Sequence, residues 1–277
     1  MRARFRWLFR GAACLALSLA VARPLCAADA LADPDRWFPR HLGDSWDYEI
    51  ARQASFQPTG QPPEELVFRG TTTVAVSSVR AEYGASEATL ETTVYTQLSP
   101  TPAPPPLHLA RTTYTARSAR GLFLHASGRR TGTSPAQASK FDDGFVRYDP
   151  PVRLVAFPIT VGQTWEMGEM YDGGLIVTLT ARIAGFEDVT TPAGVFRHCL
   201  KIARTGSISG RGNAGNTMGR PLQAGSIERL EWIAAGVGSV KQWQQRTEVY
   251  TDPASHGPMT FHETTTKTLT QYKVARS

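Results

Sequence analysis

A histidine beside a cysteine is the first place to look for chemistry, because an imidazole can take a thiol proton and leave a nucleophile. His198 and Cys199 form such a pair. Residues 196–203 read as a strand, and neighbours on a strand point to opposite faces. His198 then shares its face with Phe196, Leu200 and Ile202, as a hydrogen-bonded core histidine would. Cys199 shares the other face with Arg197 and Lys201, whose charges favour a thiolate only if the site is open. Diverging side chains argue against a catalytic pair, and an inert strand thiol is the expectation.

Other constellations fail for equally specific reasons. The six histidines are His41, His108, His125, His198, His256 and His262, with no pair at helical spacing. His256 and His262 flank a loop and lack an evident third ligand, so no metal site is assembled. Gly210, Gly212 and Gly215 match G-x-G-x-x-G in form. The dinucleotide fingerprint needs a strand before it and a helix after it, and Gly219-Arg220-Pro221 cannot open a sustained helix. Glu64-Glu65 and Asp142-Asp143 are carboxylate pairs in polar loops, where solvation explains them. G-x-S-x-G, Walker and HExxH patterns are absent from the sequence. The sequence therefore nominates no catalytic, cofactor-binding or metal-ligating residue, and the reading is that of a non-enzyme.

The amino terminus indicates where such a protein works. Arg2, Arg4, Arg6 and Arg10 precede an apolar stretch from Gly11 to Ala22, followed by small residues at Ala27, Ala28 and Ala30. That is the layout of a secretory signal peptide over residues 1–30, cut within 27–30. The apolar stretch is too short for a permanent membrane helix, and no later segment approaches that length. The mature protein is expected in the periplasm or outside the cell. Pro24-Leu25 stand before Cys26 where a lipoprotein signal places a small residue, which argues against lipid anchoring.

Much of the formal charge of +6 sits in that leader, whose five arginines face one aspartate. The mature chain is close to neutral, and its basic residues are spread singly, so nothing favours nucleic acid. Removing the leader also removes Cys14 and Cys26, leaving Cys199 without a disulfide partner.

The elements that position these residues are strands. Leu66, Phe68, Val74 and Val76 alternate with Arg69, Thr71 and Thr73; Leu175, Val177, Leu179 and Ile183 alternate with Thr178, Thr180 and Arg182. Ala88, Leu90, Val94 and Leu98 likewise oppose Glu91, Thr93 and Gln97, so the leucine side is expected to face the core. Further strands are predicted near residues 46–55, 110–117, 122–130, 196–203, 228–233, 240–250 and 260–274. One helical turn is predicted near residues 33–38, capped by Asp33-Pro34. Residues 57–63 and 99–106 are proline-rich surface segments, 205–226 a long glycine-rich loop, and 149–151 a short linker.

A phrase used twice organises these strands. Phe38-Pro39, Gly43 and Trp46 recur as Phe157-Pro158, Gly162 and Trp165 with identical spacing. Proline suits a strand entrance, glycine a tight turn, and tryptophan buries a large ring as the strand begins. The phrases divide the mature chain, 31–277, into two similar runs of about five strands, 31–150 and 151–277. A single all-β domain is expected: one large, curved antiparallel sheet forming an open or half barrel.

The residues also resemble a known set. Phe38-Pro39…Gly43…Trp46-Asp47-Tyr48 resembles the "FPL..G..W.Y" opening of a broad group of exported bacterial proteins. Thr191-Pro192-Ala193-Gly194-Val195-Phe196 resembles their "VPAGTF" turn. The segment from Glu231 through Trp232 and Gly236-Val237-Gly238 to Lys241 resembles their "WYAPGVGLVK", with Ala235 where proline is usual. The resemblance implies a β-rich exported domain, similar to the open barrels of lipoprotein-carrier proteins, and brings no catalytic residues with it. Physically, Pro192-Ala193-Gly194 is a turn, while Gly236 and Gly238 suggest a bulge or bend within a strand.

The expected role is a binding module of the envelope, taking a lipid or other apolar small molecule on the concave face of the sheet. The alternatives are a protein-interaction module, using a strand edge or the 205–226 loop, and a hydrolase with an unfamiliar site.

Overall fold

The computed structural model describes residues 34–134, 144–172, 174–212, 219–252 and 256–275. The leader, both of its cysteines, Asp142-Asp143 and Gly215 lie outside the described residues. A single helical turn, α1 (Pro34–Trp37), precedes β1 (Ser45–Pro58), β2 (Glu64–Ser78), β3 (Glu87–Ser99), β4 (Leu107–Ser118), β5 (Gly121–Gly132) and β6 (Val146–Ala156). The chain continues through β7 (Thr164–Asp172), β8 (Leu175–Thr191), β9 (Gly194–Gly210), β10 (Leu222–Ala234), β11 (Gly238–Thr251) and β12 (Pro258–Lys273).

All twelve strands join one antiparallel sheet in the order β6-β5-β4-β3-β2-β1-β12-β11-β10-β9-β8-β7. Every neighbour in sequence is a neighbour in space, and β1 pairs with β12 to join the first and last of these strands. The sheet curls until its edge strands meet. No backbone ladder joins β6 to β7 in that order; side chains bridge the seam instead. The indole of Trp165 donates to the Arg153 carbonyl at 3.0 Å, and Tyr148 stacks on Tyr171 at 6.2 Å. Arg129 on β5 reaches Asp172 on β7 at 2.5 Å. The fold is thus an all-β, barrel-like sheet, nearly closed.

Several expectations change. The supposed linker at Asp149-Pro150-Pro151 lies inside β6, and β7 was not anticipated, so each run holds six strands rather than five. Proline donates no ladder hydrogen bond, which an edge strand tolerates on its open side. The 205–226 loop shrinks to the connection after Gly210, because β9 and β10 continue pairing as far as Ser207 and Ser226. Glycine serves close approach there: a Cβ on Gly206 would sit 1.8 Å from the Thr178 carbonyl oxygen. Glu64 and Glu65 open β2 as exposed strand residues. Gly236 and Gly238, with φ of 74° and 96°, shape the tight turn between β10 and β11 rather than a bulge within one strand.

The two Phe-Pro phrases make matching contacts. Gly43 and Gly162 have φ of 91° and 87°, and their amides donate to the carbonyls of Val76 and Ile183. The indoles of Trp46 and Trp165 donate to the Val237 and Arg153 carbonyls. Phe38 lies 6.2 Å from Phe157, so the two phrases pack on each other. Trp37 and Phe38 join the main core with Leu122, Val155, Trp165 and Ile183, which plugs the barrel end where β1 and β7 start.

Candidate functional site

Strand register decides what faces the barrel interior. On β8 the inward residues are Leu175, Val177, Leu179, Ala181 and Ile183, all buried, as the alternation predicts. On β3 the expectation inverts. Thr93 pairs with Thr72, Glu91 with Val74 and Thr89 with Val76, so the polar side of β3 faces inward. Leu90 and Leu98 are 38% and 49% exposed, while Thr89 and Thr93 are 4% and 3%. The reason is hydrogen bonding: the Thr72 hydroxyl bonds that of Thr93, and Thr89 bonds Thr113 at 2.5 Å. A buried hydroxyl that finds a partner loses little on leaving water.

The interior therefore has two kinds of wall. Strands β7 to β9, with β5 and β6, supply the aliphatic main core. Charges come mainly from β1, β3, β4 and β10 to β12, joined by Arg204 of β9, Arg129 of β5 and Asp172 of β7. Arg52 and Arg246 share Glu263, with Arg52 Nη2 at 2.5 Å, and Arg246 also reaches Glu248 at 3.3 Å. Lys267 pairs with Glu91 at 2.7 Å and lies 4.4 Å from the Tyr48 ring centroid. Arg204 pairs with Glu231 at 2.9 Å. Arg40 and Arg117 share Glu87, and Arg111 and Arg129 share Asp172.

Two adjoining cavities open between these walls. One, of about 420 Å³, is lined by Phe38, Trp46, Leu122, Val155, Met167 and Trp243 together with Arg40, Glu91, Arg204, Glu231 and Lys267. The other, of about 390 Å³, is lined by Leu124, Val146, Tyr148 and Val177 together with Arg129 and Asp172. Arg111, Thr113, Met170 and Arg229 line both, which places them where the cavities meet.

Electrostatics at this junction are uneven. Burial opposes the charge on Glu231 and Asp172, but Arg204 holds the first, and Arg111 and Arg129 the second, below the ordinary carboxylate range. Arg229 has no such partner. Its Nε donates to the Gln244 side-chain oxygen at 2.6 Å, and it joins no ion pair among the described residues. Burial and then the charge of Arg204 push its guanidinium down to about 10, with Asp172 opposing the shift and Arg111 and Arg246 adding to it.

The residues singled out in the sequence lie elsewhere. His198 has φ of 55°, and the β8–β9 register shifts between Glu187 and Val189, so strict alternation fails there. His198 is exposed, not in the core, and stacks on Phe186 at 4.2 Å. Cys199, expected on the strand face of Arg197 and Lys201, is fully buried in a second cluster with Val189, Trp232, Val240 and Leu269. Burial pushes its thiol up to about 11, with Asp188 adding to the shift. His262 accepts or donates at 3.0 Å to Thr247 on an exposed face, and His256 occupies a turn with φ of 54°. Among the described residues no three His, Cys, Asp or Glu side chains converge as a metal site would require.

No protein-family model matches the chain, and no curated protein matches it. Solved structures similar to it include a provisionally assigned lipoprotein from Parabacteroides distasonis. That chain shares 15% identity at a TM-score of 0.35, over 85% of this chain and 97% of its own length. A DUF1329 family protein from Desulfovibrio piger shares 9% identity at a TM-score of 0.20, over 83% of this chain and 86% of its own. At that distance the functional argument rests on the barrel's own chemistry. Among the described residues no helix is long and apolar enough to cross a membrane.

Proposed function

We propose that this chain is a non-enzymatic, exported envelope protein that holds an apolar ligand inside its barrel. The observation that carries the reading is the pair of adjoining cavities, of about 420 and 390 Å³, between the aliphatic wall and the charged one. Volumes of that size suit small-molecule ligands, which bind in clefts of about 300–1,000 Å³ lined largely by apolar side chains. Among the described residues neither histidine nor cysteine lines either cavity, and each lining carboxylate is held by a cation. That arrangement suits retention better than proton transfer. The charged leader and its apolar stretch support an address outside the cytoplasm.

A naphthylamine fluorophore that brightens in apolar surroundings tests this directly. Saturable enhancement is expected, with loss of binding in Met170→Trp, which replaces a linear thioether by a bulky ring where the cavities meet. Absence of saturable binding, or binding indifferent to that substitution, overturns the reading.

A further inference from the structure

Cross-strand pairing sets two arginine pairs against each other inside the barrel. Arg111 on β4 lies directly opposite Arg129 on β5, and Arg204 on β9 directly opposite Arg229 on β10. Like charges in directly opposed positions destabilise a sheet. The first pair is relieved by Asp172, which reaches across the seam to both guanidiniums. Among the described residues no carboxylate bridges the second pair in this way. Glu231 engages Arg204 through one terminal nitrogen, while Arg204 Nε is buried without a hydrogen-bond partner among the described residues. The Gln244 amide oxygen is the one hydrogen-bond acceptor, among the described residues, for the five N–H groups of Arg229.

We propose that the Arg204–Arg229 pair, with Arg111 beside it, seats the anionic head of an amphiphile whose apolar tail lies along the aliphatic wall. The head would do for this pair what Asp172 does for the other. Guanidinium groups present planar forks that fit carboxylate or phosphate oxygens two at a time. Arg229, Arg111 and Met170 all border both cavities, so one ligand can meet the cations with its head and the thioether with its first methylenes. An anion here also offsets an imbalance, because among the described residues the four guanidiniums of Arg111, Arg129, Arg204 and Arg229 are set against the two carboxylates of Glu231 and Asp172. Head and tail together rest on the lumenal-binding reading above, and they narrow its ligand from any apolar molecule to an anionic one.

The test uses the full exported chain and four ten-carbon probes below micelle-forming concentration: decanoate, decyl phosphate, decanol and decyltrimethylammonium, with inorganic phosphate as a tail-free control. Binding is measured by titration calorimetry and by the rise in melting temperature that a native-state ligand produces. Decanoate and decyl phosphate are expected to bind at least about tenfold tighter than decanol, as charge-assisted hydrogen bonds imply. Arg229→Gln is expected to erase that preference and Arg229→Lys to keep most of it. The ligand-free melting temperature of Arg229→Gln is not expected to fall, since the repulsion from Arg204 is removed; a fall would mark a structural arginine and overturn the proposal. Equal binding of all four probes overturns the head-group proposal and leaves lumenal binding standing. Failure of every ten-carbon probe, decanol included, overturns the underlying reading as well. Phosphate bound as tightly as decyl phosphate, in an Arg229-dependent way, overturns the tail and leaves a simple anion site.

Discussion

Replacing Asp172 with asparagine probes how the barrel closes. Asp172 is the last residue of β7, and its carboxylate meets Arg129 at 2.5 Å and Arg111 at 3.7 Å, both projecting from the opposite side of the seam. The amide keeps the size and an acceptor oxygen but loses the charge, leaving two opposed guanidiniums without their shared anion. The side chains of Asp172, Arg129 and Arg111 are 31%, 29% and 40% exposed, so water screens the interaction in part. Fully exposed pairs contribute about 0–1 kcal/mol, and breaking a buried pair costs about 3–5. The seam falls between, and a loss of about 1–2 kcal/mol follows, or about 2–8 °C in melting temperature for a domain of this size. The pH dependence separates charge from shape. Burial alone would raise the pKa of Asp172, but Arg111 and Arg129 outweigh it and hold the folded-state value below the usual 3.8. A depressed folded-state value gives stability that is present above the unfolded pKa, about 3.9, and lost as pH falls through the folded one. Urea titrations should show the deficit of Asp172→Asn at about pH 7 and its disappearance well below about pH 4. Equal stability at neutral pH, or a deficit that persists undiminished in acid, refutes an electrostatic seam.

Two further tests follow from the packing. Cys199 is wholly buried, with its thiol pushed up to about 11, so an aromatic disulfide reagent should leave it unmodified at about pH 8 and react fully once urea unfolds the chain. Rapid labelling of the folded protein would show that the strand ends around it open. Trp46→Ala and Trp165→Ala should each lose about 3–5 kcal/mol, and the phenylalanine variants about 1, the share of the indole hydrogen bonds to Val237 and Arg153. Urea midpoints that shift for one tryptophan only would show that the two phrases do different jobs.

Period-two alternation carries most of the fold, and its failures have particular causes. Strands such as β8 are legible because one side is aliphatic and buried while Thr178, Thr180 and Arg182 are exposed. Strand β6 is not, because Asp149-Pro150-Pro151 carries the local signature of a linker, and only its position at the sheet edge makes two prolines tolerable. The 205–226 segment misleads in the opposite way. Its glycines suggest a loop, yet at Gly206 the absent side chain is what lets β9 approach β8, a relation between strands that composition does not encode. His198 shows a third cause: a left-handed residue and a register shift turn the chain over, so Cys199 and Leu200 are both buried where alternation would separate them.

The candidate site was hidden for a more general reason. The polar side of a strand faces solvent only when the interior is dry, and this barrel encloses space that polar residues line. On β3 the side bearing Thr89, Glu91 and Thr93 reads as a solvent face, and it becomes the lumen because Thr72 and Thr113 on neighbouring strands complete its hydrogen bonds. Arginines scattered singly along the sequence are likewise uninformative until register sets them opposite one another. Arg204 and Arg229 become neighbours through β9–β10 pairing, and Arg111 and Arg129 through β4–β5 pairing. Register depends on turn geometry and on which side of each strand is buried, and a slip of one residue would send all four side chains to the outside. The chemistry of this chain therefore resides in pairings between strands rather than in a motif along any one of them. Among the described residues no histidine or cysteine lines either cavity, so motifs built on those residue types do not lead to the lumen.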